Sequence, residues 1–216
     1  MKVTQNWRSF VLNNFSGNGI EIGPLHAPFP YNQNTTKIKY VDRYPYEKLI
    51  SIYPSLKSKI VKPDIIEISD KLSQVPPDSL DFICNSHLLE HLVNPGRTIE
   101  EWVRVVRPNG FVYIVAPDKR FTFDKERELT SVTHLINDFE NKVEKVEKAH
   151  YRSWLKTKEN TKQVQNHYNT QAEIHVHVWD TTVLFQFMKY LEVKLSFKIV
   201  DHNAWGQDIV YLLEVQ

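Results

Sequence analysis

The chain predicts an α/β protein built on a doubly wound parallel sheet, on three observations. Short apolar runs that end in small or acidic residues alternate with stretches of helical spacing from residue 18 to residue 118. The first run, Asn18-Gly19-Ile20-Glu21-Ile22-Gly23-Pro24, stops on a glycine, where the absent side chain lets the backbone approach a ligand. About twenty residues on, Tyr40-Val41-Asp42-Arg43 closes a second run with an acid able to accept both hydroxyl hydrogens of a ribose.

Composition bounds the function. A chain of 216 residues, 41% hydrophobic and 25% charged, fits one domain spanning 1–216 with a full core. A net charge of +1 gives no polybasic field for a phosphate backbone, so nucleic acid is not an expected partner. The single cysteine, Cys84, lies in an apolar run and cannot form an internal disulfide, which suits a reducing, cytoplasmic setting. No apolar stretch approaches the ~20 residues that span a bilayer, and residues 1–15 lack the basic start and apolar block of a signal peptide.

Taken in order, Trp7, Phe10, Val11, Leu12 and Phe15 have the spacing of one face of a short helix within 1–17. Ile20 to Gly23 is the first strand. The following His26-Ala27-Pro28-Phe29-Pro30-Tyr31-Asn32 is too rich in proline for a helix, so a loop replaces the usual glycine-rich turn and helix. Lys37 to Asp42 is the second strand and Pro45 to Ser58 a helix broken near Pro54; Lys62 to Ile68 is the third strand. Ser79 to Ser86 reads as a buried parallel strand whose carboxyl end opens at a site. His87 to Leu92 makes one helical turn, Arg97 to Val106 an amphipathic helix, Asn109-Gly110 a turn, and Phe111 to Val115 a fifth strand. Residues 119–172 exceed any simple connection and predict a charge-rich insertion of two or three helices, a lid at the ligand edge. Thr181 to Leu191 is the last helix, capped by Asp180 or Thr181; Lys194 to Asp201 and Ile209 to Val215 are two strands joined around Asn203 to Gly206.

Ile20-Glu21-Ile22-Gly23, Val41-Asp42, Leu80-Asp81-Phe82, Leu89-Glu90-His91-Leu92 and Val105 to Phe111 together resemble the class I S-adenosylmethionine-dependent methyltransferases, of the small type 11 group. The resemblance implies a Rossmann-like seven-stranded sheet with an antiparallel last pair, S-adenosylmethionine as cofactor, and methyl transfer. It further implies that Glu21 holds the ligand's amino-acid end while Gly23 gives backbone room, and that Asp42, with Arg43 beside it, takes the ribose. Glu67 and Ile68 would read the adenine, with Asp70 as the rival acid. Asn85 and Ser86 would line the methionine side, and His87 and His91 would face the acceptor. Pro24-Leu25-His26 departs from the family's second and third glycines. Residues Pro117 to Asp124 and His175 to Trp179 resemble a bacterial branch associated with surface-polysaccharide and glycosyltransferase loci.

A hydroxyl acceptor must lose a proton, and histidine is the natural base near neutral pH. The candidate catalytic residues are His87, His91, His175 and His177, the last two expected on one face of an extended segment. That pair would also suit a metal, given a third ligand from Asp118, Asp124 or His150, but no metal is assigned. Asp118, Lys119 and Arg120 either meet the polar groups of a sugar or phosphate or pair with Asp124 and Glu126. The expected reaction is methylation of a small polar acceptor, a sugar or glycan hydroxyl. A nitrogen acceptor on an amino-sugar or small metabolite is the alternative. From another class comes a non-catalytic scaffold with a glycosyltransferase as partner, suggested by the glycine-poor first turn. A nicotinamide dehydrogenase fits poorly, because the Gly-x-Gly-x-x-Gly turn that seats a pyrophosphate is absent.

Overall fold

A computed structural model describes residues 1–216. Its strands β1 (Gly17–Ile22), β2 (Thr36–Asp42), β3 (Ile65–Ile66), β4 (Leu80–Ser86), β5 (Val106–Pro117), β6 (Phe197–Trp205) and β7 (Asp208–Val215) form one sheet in the order β3-β2-β1-β4-β5-β7-β6. β1 to β5 pair in parallel, and β7 runs antiparallel between β5 and β6. Strand order reverses between β1 and β4, so the carboxyl ends there open the crevice where such sheets bind ligands.

The pleat sends alternate residues to opposite faces: on β4, Ile83 enters one core and Phe82 and Cys84 the other. Helices α3 (Pro95–Val105), α4 (Val132–Glu140) and α7 (Thr181–Lys194) cover the first face, burying Ile99, Trp102, Leu135, Phe187 and Leu191 against it. Asn94 starts α3 by accepting the Arg97 amide at 3.0 Å, with Pro95 in the first turn. Asp180 starts α7 by accepting the Thr182 and Val183 amides, each at 2.9 Å, and so is the cap of the two considered. The second face has no long helix. The proline-rich loop after β1 and the short α1 (Phe10–Asn14) cover it instead, packing Phe10, Val11, Phe15 and Phe29 on Phe82, Tyr113 and Leu212. Leu12 faces solvent and Trp7 is half-buried in a preceding 3-10 turn, so the expected helical face is narrower than its spacing suggests.

Three expected elements change. The third strand shrinks to Ile65–Ile66, because the Asp64 side chain takes the Tyr40 amide at 2.8 Å where a longer ladder would need a backbone carbonyl. Asn109-Gly110 does not end a helix but sits within the twelve-residue β5 as a bulge, with Asn109 at φ +62°. A Cβ at Gly110 would lie 2.7 Å from the Asp81 carbonyl, so only glycine fits there. Residues 141–147 carry helical spacing without forming a helix; α4 ends at Glu140, and Lys142 takes a left-handed backbone.

Between β5 and α7 lie α4, α5 (Lys148–Trp154) and α6 (Lys162–Thr170), followed by residues 171–180 with no regular structure. Gly96 on α3 lets Phe139 of α4 come close: a Cβ there would stand 2.8 Å from the ring. α5 and α6 have a small core of their own, in which Tyr151 and Val164 meet Val146, Ile174 and Val176. No helix is long and apolar enough to cross a membrane.

Candidate active site

The crevice has two sides. On the first, Gly23 follows β1 with φ +66°, a backbone that favours glycine. Asp42 ends β2 half-buried; its Oδ1 accepts the Tyr44 amide at 3.0 Å, and no side chain bonds its other oxygen. Burial raises the Asp42 carboxyl, against the Tyr44 and Arg43 amides. These residues fit a ribose and a close backbone approach. Arg43 reaches Glu173 at 2.7 Å and lies over the Tyr44 ring, joining the end of β2 to the segment after α6. Ile68 is exposed, while Glu67 is engaged by Ser73 and by the Gln74 amide, so Asp70 is the acid there without a hydrogen bond. Glu21, expected at the ligand's amino-acid end, instead ties down the proline-rich loop: it is 1% exposed, and both oxygens accept the Phe29 amide at 3.1 Å. Burial pushes its carboxyl up to about 8, against the Phe29 bond and the Arg8 charge. Asn85 is fully buried, its Nδ2 donating to the Tyr113 carbonyl and its Oδ1 unpartnered; Ser86 is half-buried at the strand end.

On the second side, His87 follows β4 with a left-handed backbone of φ +53°, its amide held by the Val115 carbonyl at 2.8 Å. Its Nε2 meets Asp208 Oδ1 at 2.8 Å, and Asp208 Oδ2 accepts the Trp7 indole N–H at 3.1 Å. A carboxylate accepts, so Nε2 carries the proton and Nδ1 keeps its lone pair. Burial alone would lower the His87 pKa; the Asp208 bond and the Glu90 charge outweigh it and raise it. Three residues on, Glu90 is buried with neither carboxylate oxygen hydrogen-bonded, and burial raises its pKa. His91 donates Nδ1–H to the Ile174 carbonyl at 3.2 Å; burial and the neighbouring His175 push its pKa down to about 4. His175 sets its Nδ1 on Asp124 at 2.6 Å, and its ring meets that of His91 edge-on at 4.5 Å. Asp124 is held in turn by Arg127 at 2.7 Å.

His177 does not share this face, which corrects the expected pairing with His175. Residues 172–180 form no strand. The Val176 and His177 amides both donate to the Glu90 carbonyl, and His177 turns inward with Nε2 on the Val93 carbonyl at 3.0 Å, beside His134 and His150. Its side chain is fully buried, and burial drives its pKa down to about 3. Of Asp118, Lys119 and Arg120, only Asp118 is buried: the exposed Arg120 folds back to pair with it, and Lys119 bonds to the Arg127 carbonyl. The structure thus gathers His87, His91 and His175 and leaves His177 behind them. Glu90 and Asp208 are not among the residues expected at the site, and Asp124 enters it only as a possible third metal ligand; Glu90 stands in plain view within Leu89-Glu90-His91-Leu92, whereas nothing local marks Asp208.

Residues 51–114 match the sequence model of the family described as "Methyltransferase domain", covering β3 through most of β5. No curated protein matches the chain by sequence. Among solved structures, the PH0226 protein of Pyrococcus horikoshii superposes with a TM-score of 0.55 at 13% identity, over 99% of this chain and 92% of its own. A candidate S-adenosylmethionine-dependent methyltransferase of Listeria monocytogenes gives 0.54 at 12% identity, over 98% and 97%. The fold is that of the methyltransferases. The CurJ carbon methyltransferase also superposes, with a TM-score of 0.50 at 12% identity over 92% of this chain, which spans 48% of that longer protein. The matched domain and the methyltransferase fold together support an enzyme that uses S-adenosylmethionine.

Proposed function

We propose that the protein methylates a hydroxyl group of a sugar or glycan, with His87 taking the acceptor's proton. The observation that carries this reading is the Asp208–His87 pair at 2.8 Å, which fixes the imidazole at the end of β4 and leaves Nδ1 as its free nitrogen. S-adenosylmethionine, when bound, supplies an electrophilic methyl group and leaves as S-adenosylhomocysteine. What remains for the chain is to hold the reactants together and remove one proton. Asp42, Gly23 and Ile68 hold the cofactor side, with Asp70 or Glu67 at the adenine. Residues 119–172 act as the lid of a single domain, closing over the acceptor.

Support for a sugar comes from the lid. Phe121 and Phe123 are exposed by 58% and 64%, and Phe123 meets the Trp154 ring edge-on at 5.6 Å and packs on His175. Aromatic faces of this kind pack on the C–H face of a sugar ring while its hydroxyls reach the polar cluster. The resemblance to a polysaccharide-associated branch agrees with that chemistry and keeps a glycosyltransferase as candidate partner. The test is calorimetric titration with S-adenosylmethionine and S-adenosylhomocysteine, NAD as control, then turnover of sugar acceptors. His87→Ala should lower turnover at least ~10-fold with cofactor binding retained. Unchanged turnover would point to a nitrogen acceptor, and no cofactor binding to a scaffold.

A further inference from the structure

Glu90 is an anomaly. Its residue is 1% exposed and neither carboxylate oxygen has a hydrogen-bond partner, an arrangement that is costly for an isolated charge. His87 Nδ1 and His91 Nε2 each stand 3.9 Å from its Oε1, beyond hydrogen-bond reach. Ligand atoms of Glu90, His91 and His175 all lie within 4.8 Å of one another. Each imidazole is held at Nδ1. His91 spends Nδ1 on the Ile174 carbonyl and His175 spends Nδ1 on Asp124, which leaves Nε2 of each ring as the lone pair. Such outer bonds to a carbonyl and a carboxylate are the ones that fix metal-binding histidines.

We propose that Glu90, His91 and His175 bind a divalent transition-metal ion, zinc by the donor set. Two imidazoles and one carboxylate suit zinc or iron rather than magnesium or calcium, which take oxygen ligands. Three protein ligands leave a position open, as in catalytic rather than structural zinc sites. His91 is 40% exposed in its side chain, so an ion reaches the site from solvent, and Phe123 and Trp154 supply an apolar wall around His175. The open position is filled by the acceptor oxygen, beside His87; this last point alone rests on the methyltransferase reading. The ion holds that oxygen and lowers its pKa, and His87 receives the proton.

A second histidine cluster supplies the control. It is the rival site, formed by His134, His150 and His177: His134 Nε2 faces His150 Nε2 and Asp138, each at 3.2 Å, while His177 Nδ1 is buried without a partner. Zinc content is measured by mass spectrometry on the purified chain after dialysis, and zinc affinity by competition with a chelator. One zinc per chain is expected, with affinity weakened ~100-fold or more in Glu90→Gln and in the solvent-exposed His91→Asn. His134→Asn should bind zinc as the parent does. No bound zinc, zinc that survives both site variants, or zinc lost in His134→Asn would overturn the proposal. Titration of the same preparation with S-adenosylhomocysteine separates the two readings. Zinc at the site without cofactor binding supports the metal and removes the methyltransferase reading; cofactor binding without zinc does the reverse.

Discussion

Asp42 and Glu21 are both carboxylates at strand ends, yet the structure gives them opposite work. Asp42 keeps one oxygen clear of other side chains at the crevice, so Asp42→Ala should weaken S-adenosylmethionine binding ~10-fold or more while the fold stays intact. An unchanged dissociation constant by calorimetry would remove it from the ribose role. Glu21 is raised from 4.5 to about 8 by burial. A group raised in this way contributes stability that is fully present below pH 4.5 and is lost as pH rises through about 8. Glu21→Gln cannot ionise, so its urea midpoint should fall less than the parent's between pH 5 and pH 8. Parallel midpoints in the two proteins would refute that account. From sequence, both acids carry one signal, an acid near the end of an apolar run; that Glu21 is closed off depends on where the Phe29 amide comes to rest, a contact that no spacing encodes.

At the scale of elements, α4 is held on α3 through a close approach at Gly96, where a side chain would strike Phe139 at 2.8 Å. Gly96→Val should therefore destabilise the chain by about 1–3 kcal/mol through overpacking, read as a lowered urea midpoint at unchanged slope. A midpoint equal to the parent's would mean that α4 can slide. The strands and α3 were legible because their apolar patterns are long and their periods differ. The order of the histidines was not. His175 and His177 share a face only if the segment is extended and unconstrained; here the amides of Val176 and His177 converge on one carbonyl, and the two rings go to separate clusters. Likewise Asn109-Gly110 signalled a turn, and became a bulge because β4 offers a partner on both sides of it.

Across the whole molecule, the two faces of the sheet are covered unequally. One has three helices; the other relies on Val3, Phe10, Val11 and Phe15 lying on Phe82, Tyr113, Val210 and Leu212. Removal of residues 1–15 should expose an apolar patch that binds an environment-sensitive dye and drives association at micromolar concentration. A truncated chain that stays monomeric and binds no dye would show that the proline-rich loop suffices. The same amino-terminal segment also reaches the site, through the Trp7 bond to Asp208. Asp208 opens β7, the last strand in chain order, which inserts between two strands made before it. A chain emerging from the ribosome therefore carries His87 long before it carries the carboxylate that orients it. While synthesis proceeds, the nascent polypeptide lacks the bond that orients the His87 ring, which forms only when β7 enters the sheet.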